Sequence, residues 1–366
     1  MKKAISVFLA ILCALFVFTL GAFAEGENQF PTSGEIGDQG DNVVWQFDAA
    51  TGKLTVSGTG KMREDDKVVC PFSTYIQQKT KELEVAAGVT HICKNAFFDF
   101  DNLRKVTLHE GLMSIGAYAF YTNRSLATFT VPASVTEIGQ QAFNHCIGME
   151  KFIVSEGSNS FCARDGVLYT KDMTELVAYC AGNSRTSYTV PDGVKRLRHA
   201  SFRKAANLLK ISLPDSLDVI EGDAFLDCFL LREIRMPKTL SELGDSAFAD
   251  CSVLTSIEIP EGVKTIYTNT FSLDSLLRTI HIPHSVTKIE ASAFYGCDII
   301  NEIYYNGTAA EWDALHIEGQ PICFYTAKMH FNDTQDTGFL ARIKSSIRNL
   351  FNMIRRIFEA MFSFAG

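Results

Sequence analysis

Cysteine and histidine have the widest chemical scope in this 366-residue chain, with ten of the first and eight of the second. What they can do depends on spacing. A tetrahedral zinc site draws on ligands paired as CxxC or CxxH, and neither pattern occurs. His281-Ile282-Pro283-His284 holds two imidazoles three residues apart. The periodicity set out below puts His281 on an exposed strand position and His284 past a corner, facing elsewhere, so no metal is expected there. Gly58-Thr59-Gly60-Lys61 looks like part of a phosphate loop, but the spacing is wrong, no Ser or Thr follows the lysine, and it ends a hairpin strand. Asp65-Asp66 sits in a polar loop and reads as solvated charge. No HExxH, GxSxG, Walker or dinucleotide fingerprint is present. The chain therefore predicts no catalytic residue, no cofactor and no small-molecule substrate.

Lys2 and Lys3, the apolar run Ile5 to Leu20 and the small-x-small Ala22-Phe23-Ala24 predict an export leader over 1–24, cleaved after Ala24. An uncleaved anchor is the alternative. Beyond it, residues 25–338 hold 27 Lys+Arg against 41 Asp+Glu, and residues 339–366 hold five against one. An acidic body argues against a nucleic-acid partner, which needs clustered cations. The opposite sign of the last segment gives it a separate task. Nine cysteines follow the leader, an odd number that does not suit a paired framework. Cys162 and Cys180, flanking a predicted hairpin, are the one pair in reach of a disulfide.

Stepping along the chain, Ala-Phe recurs every 23 residues: Ala96-Phe97, Ala119-Phe120, Ala142-Phe143, then Ser201-Phe202, Ala224-Phe225, Ala247-Phe248, Thr270-Phe271 and Ala293-Phe294. Counting from the alanine position as zero, position 7 is apolar (Leu103, Leu231, Leu254). Positions 10 and 12 are apolar around a polar 11, as in Ile257 and Ile259 about Glu258. That is the period of a short strand with one face buried. Position 13 is often proline, as Pro214 and Pro260, which cannot donate to a ladder and turns a corner. Positions 16 and 19 are apolar again, and glycine at position 20 (Gly116, Gly139, Gly244) suits a second corner needing positive φ. Cys146, Cys228, Cys251 and Cys297 share one position and read as small buried thiols. One repeat cannot bury its own apolar side, so stacked copies must share a core. The expected fold is a mainly β solenoid of about nine 23-residue turns, a rod of roughly 43 Å at about 4.8 Å per layer.

The pattern gives boundaries. Residues 25–72 form an N-terminal β cap, with Trp45-Gln46-Phe47 and Leu54-Thr55-Val56 flanking a turn. Repeats run over 73–302, the first a partial copy from Ser73. Their spacing breaks at about 156–187, where Asp165 to Tyr169 and Glu175 to Tyr179 predict a hairpin projecting from the stack. Residues 303–332 form a small α/β cap, with Thr308 to Glu311 as a capping box. A linker follows at 333–338.

The motif AFxxCxxLxxIxIPxSVxxIG, nearly intact at Ala119–Gly139 and Ala247–Ile266, resembles the BspA-like, treponemal-type leucine-rich repeats of bacterial surface and secreted proteins. The run Asp165 to Tyr169 and the closing Tyr304-Tyr305-Asn306-Gly307-Thr308…Trp312 are similar too. The resemblance covers about 35–332. It implies a right-handed leucine-rich-repeat stack with an extracellular adhesion or protein-interaction role, and it carries no catalytic residues. Cys93 at a glycine position, Cys180 in place of proline and His109 at the proline position are departures from the pattern.

Two surfaces are candidates for an extracellular protein ligand. One is the exposed strand face, with Glu82, Glu84, Lys105, Thr107, Lys210, Ser212, Glu233, Arg235, Glu258 and His281. Its two rows hold no Trp, Tyr or Phe, and only Arg235 is of the kind that dominates protein interfaces. The other is the projecting hairpin, through Tyr169 and Tyr179.

Residues 339–366 obey a different period. Phe339, Ile343, Ile347, Phe351, Ile354, Phe358 and Phe362 fall on one wide face, with Arg348, Arg355 and Arg356 largely off it. Over 339–364 this predicts a basic amphipathic helix about 39 Å long. It has the profile of a helix lying in a membrane interface. Packing on the solenoid flank and helix-driven oligomerisation are the competing readings.

Overall fold

A computed structural model describes residues 30–64, 70–319 and 321–332. The leader, Asp65-Asp66 and the basic segment 339–366 lie outside the described residues.

A strand buried on one face has its register set by that face, because a one-residue slip would turn every apolar side chain outward. The register follows the 23-residue spacing. Phe129 pairs with Phe152, Ile211 with Ile234, and Ile257 with Ile280, all in parallel. A second, narrower parallel ladder runs through Ile92, Ile115 and Ile138, and through Leu197, Ile220 and Leu243. The result is a β-solenoid of about eleven turns rather than nine. Strands of both caps extend the stack: Lys53–Ser57 joins the first ladder at one end, and Glu302–Tyr305 and Lys328–His330 join it at the other. Ser33–Glu35 and Val44–Asp48 complete an antiparallel sheet over the first layer. At the far end, a capping box at Thr308 and Glu311 opens the helix Ala309–Ala314.

The Ala-Phe column holds the layers together. Each ring lies flat on the next at 5.0–5.8 Å, from Phe202 through Phe225, Phe248 and Phe271 to Phe294. The amides of Phe202, Phe225, Phe248 and Phe271 each donate to the alanine-position carbonyl one layer on, as Phe225 does to Ala247 at 2.8 Å. A fully buried phenylalanine contributes up to about 3 kcal/mol, and alanine beside it lets the backbones approach. The turn around the pair needs two left-handed residues per layer, one position before the alanine and three after it. Non-glycine residues with φ between 52° and 64° take both, for example Asp223 and Asp227, except in the Ala293 layer, where Gly296 takes the second. Gly116, Gly139 and Gly244 do not have positive φ, contrary to expectation. They are glycines for space: a Cβ on Gly139 would stand 2.4 Å from the Ala117 nitrogen.

The insertion also differs from expectation. It does not project. Phe161–Arg164, Val167–Thr170 and Glu175–Ala178 form an antiparallel meander whose last strand enters the second ladder beside Arg196–Leu197. Val167-Leu168-Tyr169 is apolar without alternation, so both faces of that strand demand cover. Leu168 faces the N-terminal core while Val167 and Tyr169 face the C-terminal one. The strand is thus a wall between two hydrophobic cores.

Short structure elsewhere follows local chemistry. Ser73, where the partial first repeat begins, caps the helix Thr74–Lys79, and Phe72 begins the phenylalanine column by stacking on Phe97. Cys162 and Cys180 are free thiols. The first lies against the Thr170 carbonyl and the Met173 sulfur, the second against the Gly166 carbonyl.

Candidate functional site

The strand face is built from positions 9 and 11 of each layer, which the pleat turns outward while 10 and 12 go to the core. Glu82, Lys105, Lys210, Ser212, Glu233, Arg235 and Glu258 are exposed, and Glu84, Thr107 and His281 are half-buried. Much of its charge is neutralised between layers. Lys210 meets Glu233 at 2.7 Å, Lys105 meets Glu82 at 3.5 Å, and Glu84 takes Lys53 at 2.6 Å and His109 at 3.1 Å. The Lys53 hydrogen bond, before that of His109, holds the Glu84 carboxyl below its usual range. Such exposed pairs contribute about 0–1 kcal/mol each.

Two features break the uniformity of this face. A concavity of about 520 Å³ is lined by Lys210, Ser212, Arg232, Glu233, Arg235 and Ser256. It lies at one of the interruptions of the ladder, which is also unpaired between Lys105–Leu108 and Thr128–Val131: among the described residues no strand pairing joins Glu233–Arg235 to Ser256–Glu258, or Glu242–Leu243 to Thr265–Ile266. The second feature is aromatic. His281 stacks on Tyr304 at 4.5 Å and Tyr304 on His330 at 4.2 Å, within 8° of parallel. Tyr304 lies 23 residues beyond His281 and continues its row. The face does carry an aromatic group, at its C-terminal end.

The hairpin candidate is corrected. Tyr169 and Tyr179 are buried, so neither offers a contact surface. The Tyr169 hydroxyl bonds that of Tyr188, and Tyr179 stacks on Phe202 at 4.9 Å as the aromatic of the phenylalanine column.

The motifs with chemical scope disperse. His284 faces Glu311 at 3.3 Å and not His281. Among the described residues no group of three or more His, Cys, Asp or Glu could hold a metal ion. In the glycine-rich run, the Lys61 amide donates to the Asp41 carboxylate at 2.7 Å, an acid where a phosphate loop would present open donors. The shared cysteine position is buried, and burial pushes Cys146 and Cys228 up to about 12, which keeps them as unreactive thiols.

A polar cluster that the sequence did not reveal sits at the insertion seam, on the corner face. The insertion layer lacks the Ala-Phe turn residues there, so layers distant in sequence meet. Arg203 reaches Gln141 at 3.2 Å and Asp223 at 3.4 Å. Asp227 lies 3.7 Å from Arg203 and 3.9 Å from Lys204. His145 stacks on Tyr121 at 4.7 Å. Burial first, then Lys204 and Arg203, push His145 down to about 4. Burial raises Asp223. Tyrosine and arginine together are the residue types that anchor interfaces. The usable signal was the left-handed position shared by His145, Lys204 and Asp227.

The BspA type leucine rich repeat region matches residues 71–166 and 174–312, in six copies. The chain belongs to the BspA-type leucine-rich repeat family. The gap between the BspA-type matches falls inside the meander. A leucine-rich repeat protein from Eubacterium ventriosum shares the fold at a TM-score of 0.54 and 21% identity, covering 84% of this chain and 98% of its own. The pneumococcal vaccine antigen PcpA does so at 0.54 and 18%, covering 79% and 100%. A leucine rich cell surface protein from Faecalibacterium prausnitzii aligns at 0.49 and 24%, covering 79% and 98%. No curated protein matches the sequence. The BspA-type repeats make the chain a scaffold of the protein-interaction kind, and such repeats are in general non-catalytic.

Proposed function

We propose that this chain is an exported, surface-associated protein-interaction module without catalytic activity, and that the strand face captures an extracellular protein. One observation carries the reading: an uncovered parallel ladder presents in-register side chains that culminate in the Arg235 concavity and the His281–Tyr304–His330 stack. Repeat stacks use such extended faces for binding. The leader, the family's surface-protein members and the acidic body support an extracellular setting. Surface capture of purified extracellular matrix proteins by the mature chain tests it. Alanine at Glu233, Arg235 and Glu258 together should weaken capture, and capture that survives all three refutes this face as the site.

The basic amphipathic segment 339–366 holds the module at a membrane interface in this reading. Co-sedimentation with phosphatidylglycerol-containing vesicles should be lost on deleting it. If the intact protein does not sediment, the tether is wrong. A second reading, a passive stalk, draws support from the Lys210–Glu233 and Lys105–Glu82 pairs, which leave those positions neutral. It expects no capture by any matrix protein.

A further inference from the structure

Among the described residues, several of the exposed apolar side chains gather on one flank of the C-terminal layers. Six positions after the alanine, the N-terminal layers hold Asn102, Ser125, Gly148 and Asn207. The asparagines there cap carbonyls of the preceding layer, Gln78 and Asn183. The next four layers hold Leu230, Val253, Leu276 and Ile299 at the same position. Leu230 and Leu276 are 40% and 42% exposed, and Phe229, Leu273 and Tyr295 beside them are exposed too. Single exposed apolar groups need no explanation, but a contiguous column marks a contact.

We propose that this column is the docking groove for residues 339–362 of the same chain. Three observations select that occupant. The column is confined to the C-terminal layers, and the described chain stops at Asn332 in the end cap, bound to Gly307. The linker 333–338 reaches up to about 20 Å, and the helix predicted after it, about 36 Å long, exceeds the roughly 14 Å spanned by four layers. The repeat lengths match: helical turns are 5.4 Å apart and layers about 4.8 Å. One side chain per turn, such as Ile347, Phe351, Ile354 and Phe358, can therefore meet successive layers. Charge agrees as well. Asp250 and Asp298 flank the column, and the segment carries Arg342, Lys344, Arg348, Arg355 and Arg356.

The inference rests on the amphipathic reading of 339–362 but not on membrane binding. One apolar face cannot occupy the groove and a bilayer at once, so docking stores the segment and competes with the tether.

Hydrogen exchange of the full mature chain tests it. Peptides from 339–362 should exchange about tenfold or more slower than an unstructured chain. The double variant Leu276→Asp/Ile299→Asp should abolish that protection and raise sedimentation with phosphatidylglycerol-containing vesicles. Ile153→Asp, an exposed apolar site on the strand face, should change neither. Free exchange of the segment in the wild type overturns the proposal, as does protection that survives the double variant. Protection lost on dilution overturns it in favour of a second copy. If no form binds vesicles, the tether fails while the exchange result still decides docking.

Discussion

The sulfur of Cys297 donates to the carbonyl of Phe271, 2.8 Å away in the preceding layer. Cys146, Cys228 and Cys251 repeat the contact with Phe120, Phe202 and Phe225, and Asn123 makes it with Phe97 through its amide nitrogen at 3.1 Å. In five layers the shared position therefore holds a small donor answering the carbonyl beside a core phenylalanine.

A first prediction follows from that column. Cys146→Ala removes the donor but keeps the space small, leaving the Phe120 carbonyl unanswered. It should cost about 1–3 kcal/mol in urea unfolding. Cys146→Asn, copying Asn123, should recover part of the loss. In the native protein a thiol reagent at neutral pH should modify half-buried Cys162 before buried Cys146 or Cys228, and equal rates would contradict the packing.

The phenylalanine column sets a second expectation. Phe248 lies between Phe225 and Phe271 at 5.0 and 5.8 Å, with no exposed surface. Phe248→Ala should cost about 3–5 kcal/mol. Exposed Phe229→Ala should cost less than about 0.5 kcal/mol on this measure. Comparable losses at both would mean the column does not carry the stack.

The wall strand gives a third. Tyr169→Phe strands the Tyr188 hydroxyl in the core and should cost about 1–3 kcal/mol. The double variant Tyr169→Phe/Tyr188→Phe removes both polar groups and should lose less than the sum of the singles. An additive cycle would show that the two hydroxyls do not meet.

How much of this was legible depends on what each residue reports. The 23-residue spacing of Ala-Phe and the alternation about Glu258 fix register, because only one register buries Ile257 and Ile280. The unalternating run Val167-Leu168-Tyr169 was legible as a strand but not as a wall, since one-sided and two-sided burial differ in what lies beyond the chain itself. The left-handed positions were hidden because Asp223, Ser246 and Lys204 fill them instead of glycine. The seam cluster required knowing that layers 58 or more residues apart would touch, as Gln141 and His199 do. The strand face is legible from periodicity alone, but its aromatic end is not, because Tyr304 lies in the closing strand beyond the last Ala-Phe turn.

A fourth prediction concerns pH. His145, ordinarily near 6.5, is pushed down to about 4 in the folded chain. The unfolded chain therefore binds the proton first. The stability that neutral His145 contributes is present in full above about 6.5 and is lost as pH falls from there towards 4. Partial exposure holds the effect to about 1 kcal/mol. Asp223, raised by burial, works in the opposite sense, so the measurement is the difference between wild type and His145→Asn, in which Asp223 largely cancels. That difference should shrink between pH 7 and 4, and a constant difference would show that His145 is not held neutral.

The interrupted ladder carries the last prediction. In an intact pair of layers, the Arg278 and Thr279 amides donate to the Thr255 carbonyl at 2.9 and 3.2 Å. The equivalent donors one layer back are Thr255 and Ser256, whose partner would be the Arg232 carbonyl across the break. Among the described residues that bond is not made, while the corner bonds persist, as from Phe248 to Thr270 at 2.8 Å. The two blocks of layers are thus held at the break by core packing and corner bonds, with both strand ladders open. Amides lacking ladder bonds exchange through small local openings. Thr255 and Ser256 should exchange faster than Arg278 and Thr279, although Leu254 and Leu277 on either side are equally buried. A ligand seated in the Arg235 concavity and touching Ser256 should close that difference. Equal exchange at the two pairs in the free protein would show that the ladder is continuous in solution.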